Sequence, residues 1–343
     1  MPHVSIIGLG LIGASIGLGL RHRAGINDRH ASPLEIVGYD LNTGHQDVAK
    51  RINAVDRLEP SLASAVHQAD LIVIATPVHA VREIFETIAQ HGRPRVIVTD
   101  TSSTKAVVMR WASETLPESI QFIGGHPMAG KTESVEGAEA SLFVGATWCL
   151  TPRPQASELA LQTVLDMVEA LGASPLFIDP GEHDSLVAGI SHLPFLLSVA
   201  LTGVAARDPA RQELRRLSAG GFRDVSRLAL GSPDMYRDIC ATNPEHIARW
   251  VDLAIEELEH LRNLIADGSQ PALEQLRAAF FQARDERAAW MPARDERDDE
   301  ARETRDETIS SSTGRQVEHL LFGNLFRRPR RASRERGTEP DRD

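Results

Sequence analysis

Residues 124–130 read GGHPMAG and set a single histidine, His126, between a glycine pair and a proline. Upstream, residues 100–105 read DTSSTK and bring together two serines, Ser102 and Ser103, and a lysine, Lys105. An imidazole with an unperturbed pKa of about 6.5 suits proton transfer near neutral pH. Hydride removal from an alcohol carbon needs such a partner, because without it the product is a costly protonated carbonyl. A nearby serine hydroxyl would fix the tautomer of His126. The flanking glycines would let the backbone approach a ligand, and Pro127 would set the turn.

The hydride acceptor is suggested at the start of the chain. VSIIGLGLIGASIGLGL carries Gly8, Gly10 and Gly13 in G-x-G-x-x-G spacing, with an apolar strand before it and a helix after it. Gly8 permits the tight turn, Gly10 admits a pyrophosphate to the backbone, and Gly13 lets helix and strand pack closely. Leu9, Leu11 and Ile12 complete the turn, whose helix N-terminus faces the phosphates. The second strand ends in GYD, where Asp40 is placed to accept hydrogen bonds from a ribose diol. Its distance from Gly13 exceeds the usual ~20 residues, and INDRHASP supplies a loop insertion. A carboxylate there repels a 2'-phosphate, and neither Leu41 nor Asn42 offers a compensating cation, so NAD is expected over NADP. Thr76 and Pro77 close the next strand at the same edge, with Thr76 either a cofactor contact or a plain turn residue. Ser102 or Ser103 would cap the helix that follows the fourth strand.

These residues need a parallel sheet to bring them to one edge. Apolar runs at 3–8, 35–40, 70–76, 95–100, 121–124 and 147–151 are nearly continuous in Val, Ile and Leu, as in strands buried on both faces. Helical stretches at 78–90 and 103–114 lie between them, and a helix at 155–171 with a strand at 175–178 closes this half. After Pro180 the periodicity is helical, at 181–206, 212–216, 225–230, 244–267 and 270–290. The fold class is therefore an α/β Rossmann-type N-terminal domain with a mostly parallel sheet (1–180), followed by an all-α domain (181–291). Residues 292–343 carry a charge run without an apolar face and are expected to be disordered, with VEHLLFGNLF as a possible short docking helix.

Composition narrows the class. The 343 residues are 42% hydrophobic and 25% charged, ordinary for a globular protein of two domains. The formal charge of -11 argues against general nucleic-acid binding. No uninterrupted apolar run suggests a membrane span and no secretory leader is recognised, so no membrane association is expected. Two distant cysteines, Cys149 and Cys240, suit a reducing cytoplasm rather than a disulfide framework. No metal is expected. The basic residues are almost all arginine, and of the three lysines Lys105 falls in DTSSTK and Lys131 directly follows GGHPMAG.

Taken in order, IIGLGLIGASIGLGL, DTSSTK, GGHPMAGK, GISHLP and GGFRDVSRLALGSPDMYRDI resemble the prephenate and arogenate dehydrogenases of tyrosine biosynthesis. The resemblance runs from about residue 3 to residue 290. It implies NAD-dependent oxidation of a ring carbon bearing a hydroxyl, with the ring carboxylate expelled as carbon dioxide and aromatisation as the driving force. It assigns His126 to deprotonation of the hydroxyl, and Ser103 to orienting that pair and touching the cofactor. Arg227 becomes the substrate-binding arginine with Arg223 as a second cation, which fits a dicarboxylate that needs a forked donor. Ser191 and His192 would stand at the start of a helix crossing the domain junction, where Pro194 alone accounts for a helix start. Tyr236 and Arg237 would close the site, and the helical domain would pair two chains into a homodimer. HLPFLLSVAL is itself more apolar than one small domain needs to bury.

The chain departs from relatives that carry a second histidine where Phe195 stands. KTESVEG also breaks the usual glycine spacing, so the contacts of Lys131, Thr132 and Glu133 are not assigned. No regulatory domain is recognised after Trp290 and no chorismate mutase segment before Met1. Prephenate is the expected substrate, giving 4-hydroxyphenylpyruvate, with arogenate giving tyrosine directly as the alternative. A β-hydroxy acid dehydrogenase would rely on a helical-domain lysine, which this chain lacks. A non-catalytic NAD sensor would leave His126, Ser103 and Arg227 without a role.

Overall fold

The computed structural model describes residues 3–27, 34–131 and 133–290. The tail, its docking segment, Thr132 and most of the INDRHASP insertion lie outside the described residues. Strands β1 (His3–Ile7), β2 (Glu35–Tyr39), β3 (Arg57–Leu58), β4 (Leu71–Ile74), β5 (Ile97–Asp100), β6 (Gln121–Pro127), β7 (Thr147–Pro152) and β8 (Ser174–Phe177) form one sheet in the order β3-β2-β1-β4-β5-β6-β7-β8. Only the β6–β7 pair is antiparallel, so the sheet is mostly parallel.

Apolar residues in these strands alternate between two buried layers. Val4, Ile6, Val73 and Ile97 face α1 (Leu11–Asn27) and α6 (Glu158–Ala170). Ile7, Ile72, Ile74 and Val98 face α3 (Leu62–His67), α4 (Val81–His91) and α5 (Ala106–Thr115), where Phe85 meets Phe122 edge-on at 5.1 Å. Helix α2 (Thr43–Arg51) bridges β2 and β3. Strand β1 lies between β2 and β4, which opens the crevice at their carboxyl ends where ligands of such sheets bind.

Three local expectations change. Helix α1 runs through Asn27, so part of the long Gly13-to-Asp40 spacing is helix rather than loop. Strand β6 extends to Pro127, and His126 pairs with Cys149 of β7, so the imidazole stands on a strand end and not in a turn. Its glycines serve the sheet. A Cβ on Gly125 would lie 2.6 Å from the Asp100 carbonyl oxygen, and one on Gly124 would lie 2.2 Å from Thr151 Oγ1. The close neighbours are thus β5 and β7.

The helical half comprises α7 (Pro180–Val187), a π turn (Ala188–His192), α8 (Leu193–Arg207), α9 (Arg211–Leu217), α10 (Gly220–Ser226), α11 (Pro233–Thr242), α12 (Pro244–Asp267) and α13 (Gln270–Ala289). Helix α7 is capped by Asp179, with Pro180 in its first turn, and runs through the π turn into α8. Pro194 therefore starts no helix. It lacks an N–H, and the wider π turn just before it gives the backbone room to continue. The helix spanning Pro180–Arg207 is long and apolar enough by composition to cross a membrane, although Ser191 and His192 interrupt its apolar run. Its polar residues His183, Asp184 and His192 are turned into the protein, as in a helix that crosses a domain junction.

Trp250 of α12 braces the π turn. Its ring packs against Gly189, where a Cβ would fall 2.6 Å away, and its indole N–H donates to the Ser185 carbonyl at 2.9 Å. Trp250→Phe keeps most of the contact and removes the donor, and should lower unfolding free energy in urea by about 1 kcal/mol.

Candidate functional site

Gly8 ends β1 with φ +96, where a Cβ would lie 2.5 Å from the Ala75 carbonyl oxygen. A Cβ on Gly13 would fall 1.9 Å from the Gly8 carbonyl oxygen, whereas one on Gly10 would meet nothing within 4 Å. The turn is therefore closed on its protein side and open at Gly10. Leu11 and Ile12 begin α1, whose first turn holds no acidic side chain. At the end of β2, the Asp40 carboxylate accepts from the N–H of Leu9 at 2.6 Å and of Asn42 at 2.7 Å. Thr76, after β4, keeps a buried hydroxyl with no partner among the described residues, as does Ser102 after β5, and Pro77 leads into the next helical turn. An open glycine face, a helix N-terminus without acids and orphaned hydroxyls at one edge fit a dinucleotide.

Beside this edge stands a buried polar cluster. Lys105 and Asp100 have no exposed surface. Lys105 Nζ contacts Asp100 Oδ2 at 2.5 Å and donates to the Gly125 carbonyl at 2.6 Å, while the Gly125 N–H donates to Asp100 Oδ1 at 2.9 Å. This ion pair clamps the residue immediately before His126. Burial lowers the pKa of Lys105, and the Asp100 carboxylate opposes that shift.

The nitrogen of His126 that faces the protein, Nδ1, lies 2.9 Å from His183 Nε2, and His183 Nδ1 lies 2.8 Å from Asp184 Oδ1. The partner fixing His126 is thus His183 rather than a serine hydroxyl. Ser103 lies half-buried in the loop before α5, with no hydrogen bond of its own among the described residues. Burial holds the His126 pKa well below the ordinary histidine value, and His183, Lys105 and His192 lower it further.

The serines do not cap α5. The Ser102 N–H turns back to Asp100 Oδ2 at 3.0 Å, and the helix begins only after Lys105. Its free amides are taken across the junction, Lys105 N–H by Asp184 Oδ1 at 2.7 Å and Ala106 N–H by Asp184 Oδ2 at 2.9 Å. Sequence reasoning missed His183 and Asp184. The only local signal is an adjacent His-Asp pair at the head of a long apolar helix.

From the helical half, the π turn holds His192 at 2% exposure with neither ring nitrogen hydrogen-bonded among the described residues, and leaves Ser191 half-buried. Phe195 stacks on Tyr236 of α11, ring centroids 3.3 Å apart and planes 4° from parallel. Arg237 is engaged by Asp234 and Asp238, and Asp238 also contacts His79 after β4, tying α11 to the cofactor edge. Arg227, which opens the turn Arg227–Leu230, and Arg223 on α10 are not brought to His126. Both are exposed on a segment packed against α8.

Comparison with known proteins follows the same division. A family model described as the nucleotide-binding domain of prephenate dehydrogenase matches residues 26–176, and one for its dimerization domain matches residues 179–280. Prephenate dehydrogenase of Bacillus subtilis is 32% identical over 83% of this chain and 75% of its own length. The crystal structure of prephenate dehydrogenase from Aquifex aeolicus with hydroxyphenyl propionate and NAD+ is 27% identical, covers 84% of this chain and 98% of its own, and superposes with a TM-score of 0.75. Synechocystis arogenate dehydrogenase is 29% identical over 84% of this chain and all of its own (100%), with a TM-score of 0.68.

The enclosed His192 ring has a consequence for acid stability. Burial pushes its pKa down to about 4, whereas the unfolded chain titrates near 6.5. Between these values the unfolded state binds the extra proton, so stability is full above about pH 6.5 and is lost as pH falls toward about 4. In urea unfolding at pH 7 and pH 5, His192→Gln should lose about 2 kcal/mol less than the parent over that interval.

Proposed function

Because the chain belongs to the prephenate dehydrogenase family, we propose that it oxidises prephenate with NAD, releasing the ring carboxylate as carbon dioxide and forming 4-hydroxyphenylpyruvate in tyrosine biosynthesis. The observation that carries this reading is His126, a part-buried imidazole kept neutral by burial, at the same carboxyl edge of the sheet as the open glycine turn. NAD, when bound, supplies the hydride acceptor. Gly8, Leu9, Gly10, Leu11, Ile12 and Gly13 would hold its pyrophosphate and Asp40 its adenosine ribose. Thr76, Pro77 and Ser102 would line the nicotinamide end, where Thr76 and Ser102 carry hydroxyls still open to a partner.

The chemistry asked of the protein is modest because aromatisation drives the step forward. His126 would take the proton of the ring hydroxyl as the carbonyl forms, and Ser103, in the loop before α5, would support that hydroxyl. Arg227 and Arg223, exposed on the segment packed against α8, would meet the substrate carboxylates with forked donors once that segment is brought to the site. Tyr236, stacked on Phe195, would close the site from the helical domain, and Ser191 and His192 would line its junction side. Cys149 and Cys240 are unpaired, which accords with a cytoplasmic setting.

Purified protein given prephenate and NAD should yield reduced cofactor, carbon dioxide and 4-hydroxyphenylpyruvate, with NADP a poorer acceptor. His126→Asn should lower kcat by about a hundredfold or more while leaving NAD affinity intact. Since the working base is the neutral ring and its pKa is lowered, kcat/KM should hold through pH 6.5 and fall only at more acid pH. Absence of turnover with both prephenate and arogenate would sink the reading, and a higher kcat/KM for arogenate would move the substrate assignment to it.

The helical domain is proposed to pair two chains. Leu258 and Ile265 of α12 and Phe280 of α13 are each more than half exposed, at 58%, 63% and 58%, on surfaces a lone domain would not leave wet. Sedimentation equilibrium should return twice the chain mass, and a monomer at micromolar concentration would refute it.

A further inference from the structure

We propose that His183 and Asp184 form a positioning pair that fixes the tautomer of His126, so that its Nε2 lone pair is the one offered to substrate. The proposal rests on His126 being the base of the reaction above, and it follows from counting donors in the buried cluster.

Backbone amides only donate. Lys105 N–H approaches Asp184 Oδ1 at 2.7 Å and Ala106 N–H approaches Oδ2 at 2.9 Å, so both carboxylate oxygens act as acceptors. His183 Nδ1, 2.8 Å from the same Oδ1, must then carry the hydrogen. In a neutral ring that leaves His183 Nε2 as an acceptor. It faces His126 Nδ1 at 2.9 Å, so His126 donates through Nδ1 and keeps a bare Nε2. One carboxylate thereby settles the protonation pattern of two rings.

Burial makes this arrangement selective. His183 is 1% exposed, yet both its ring nitrogens are partnered, whereas His192 at 2% exposure has neither nitrogen partnered. Flipping the His183 tautomer would set an N–H against the Nδ1–H of His126 and leave Asp184 Oδ1 one donor short, a cost that burial raises. When His126 Nε2 takes the hydroxyl proton of the substrate, its Nδ1 proton stays in place. The new imidazolium still donates to His183, and the Asp184 charge stabilises it through the intervening ring. No proton need travel beyond His126.

The test uses full-length enzyme labelled with 15N-histidine, with the His126 ring signals identified by their loss in His126→Asn. At pH 7.5 without substrate, two-bond 1H–15N correlations should show His126 protonated at Nδ1 and bare at Nε2. In His183→Leu that ring should become a mixture of tautomers, and kcat should fall about a hundredfold with little change in KM. His183→Gln places a carbonyl oxygen near the former Nε2 position and should restore both the tautomer and at least tenfold of the lost kcat. A purely structural role predicts equal defects in the two variants and an unchanged tautomer, and that result would overturn the proposal. So would a parent enzyme with His126 protonated at Nε2, a measurement that needs no variant to fold. If His126→Asn is inactive in that case, the base assignment survives and only the positioning pair is lost. Normal turnover by His126→Asn instead removes the base, and with it any catalytic use of the pair.

Discussion

A lysine with no exposed surface is tolerable only beside a counter-charge, and the site is arranged around that requirement. Removing one partner of a buried pair such as Lys105 and Asp100 strands the other and typically costs about 3–5 kcal/mol. The pair therefore acts as a fixed peg. It joins the loop after β5 to the backbone of β6 at Gly125 through both the amide and the carbonyl, and so sets where His126 stands. Its positive end also helps keep the neighbouring imidazole neutral. The pair thus sets the place of the base and adds to the neutrality that burial and His183 impose on it.

The two halves of the chain are joined by polar contacts aimed at the same place. Asp184 takes the two free amides of α5, Thr104 and Thr242 share a hydroxyl contact at 3.0 Å, and Asn243 donates to the Asp184 carbonyl at 2.8 Å. A helix start that the N-terminal domain leaves uncapped is completed by the other domain. The junction therefore satisfies two amides at the start of α5 that solvent would otherwise have to meet.

The fold was legible where one element could be recognised from neighbouring residues. Apolar strands buried on both faces, the glycine turn and Asp40 at the end of β2 are signals of that kind. His126 stood out by type and setting, but the purpose of its glycines did not, because the atoms that forbid a Cβ there belong to β5 and β7, far away in sequence. The same holds for the cap of α5. Two serines in the loop satisfied every local rule, yet Asp100 drew the chain back, and an aspartate 79 positions from Lys105 took the role. His183 escaped notice because its meaning comes entirely from what it touches.

The π turn at Ala188–His192 carries a further consequence. Each residue of a regular helix advances the rotation by about 100°, so widening one turn re-phases everything downstream relative to everything upstream. Upstream lie His183 and Asp184, pointed at the sheet edge. Downstream lie Phe195, pressed on Tyr236, and Ser198, whose hydroxyl accepts from Ala229 N–H at 2.8 Å just beyond Arg227. The turn works as a gear tooth between two angular settings on one shaft, and shortening this helix by a single residue would leave no rotation able to satisfy both.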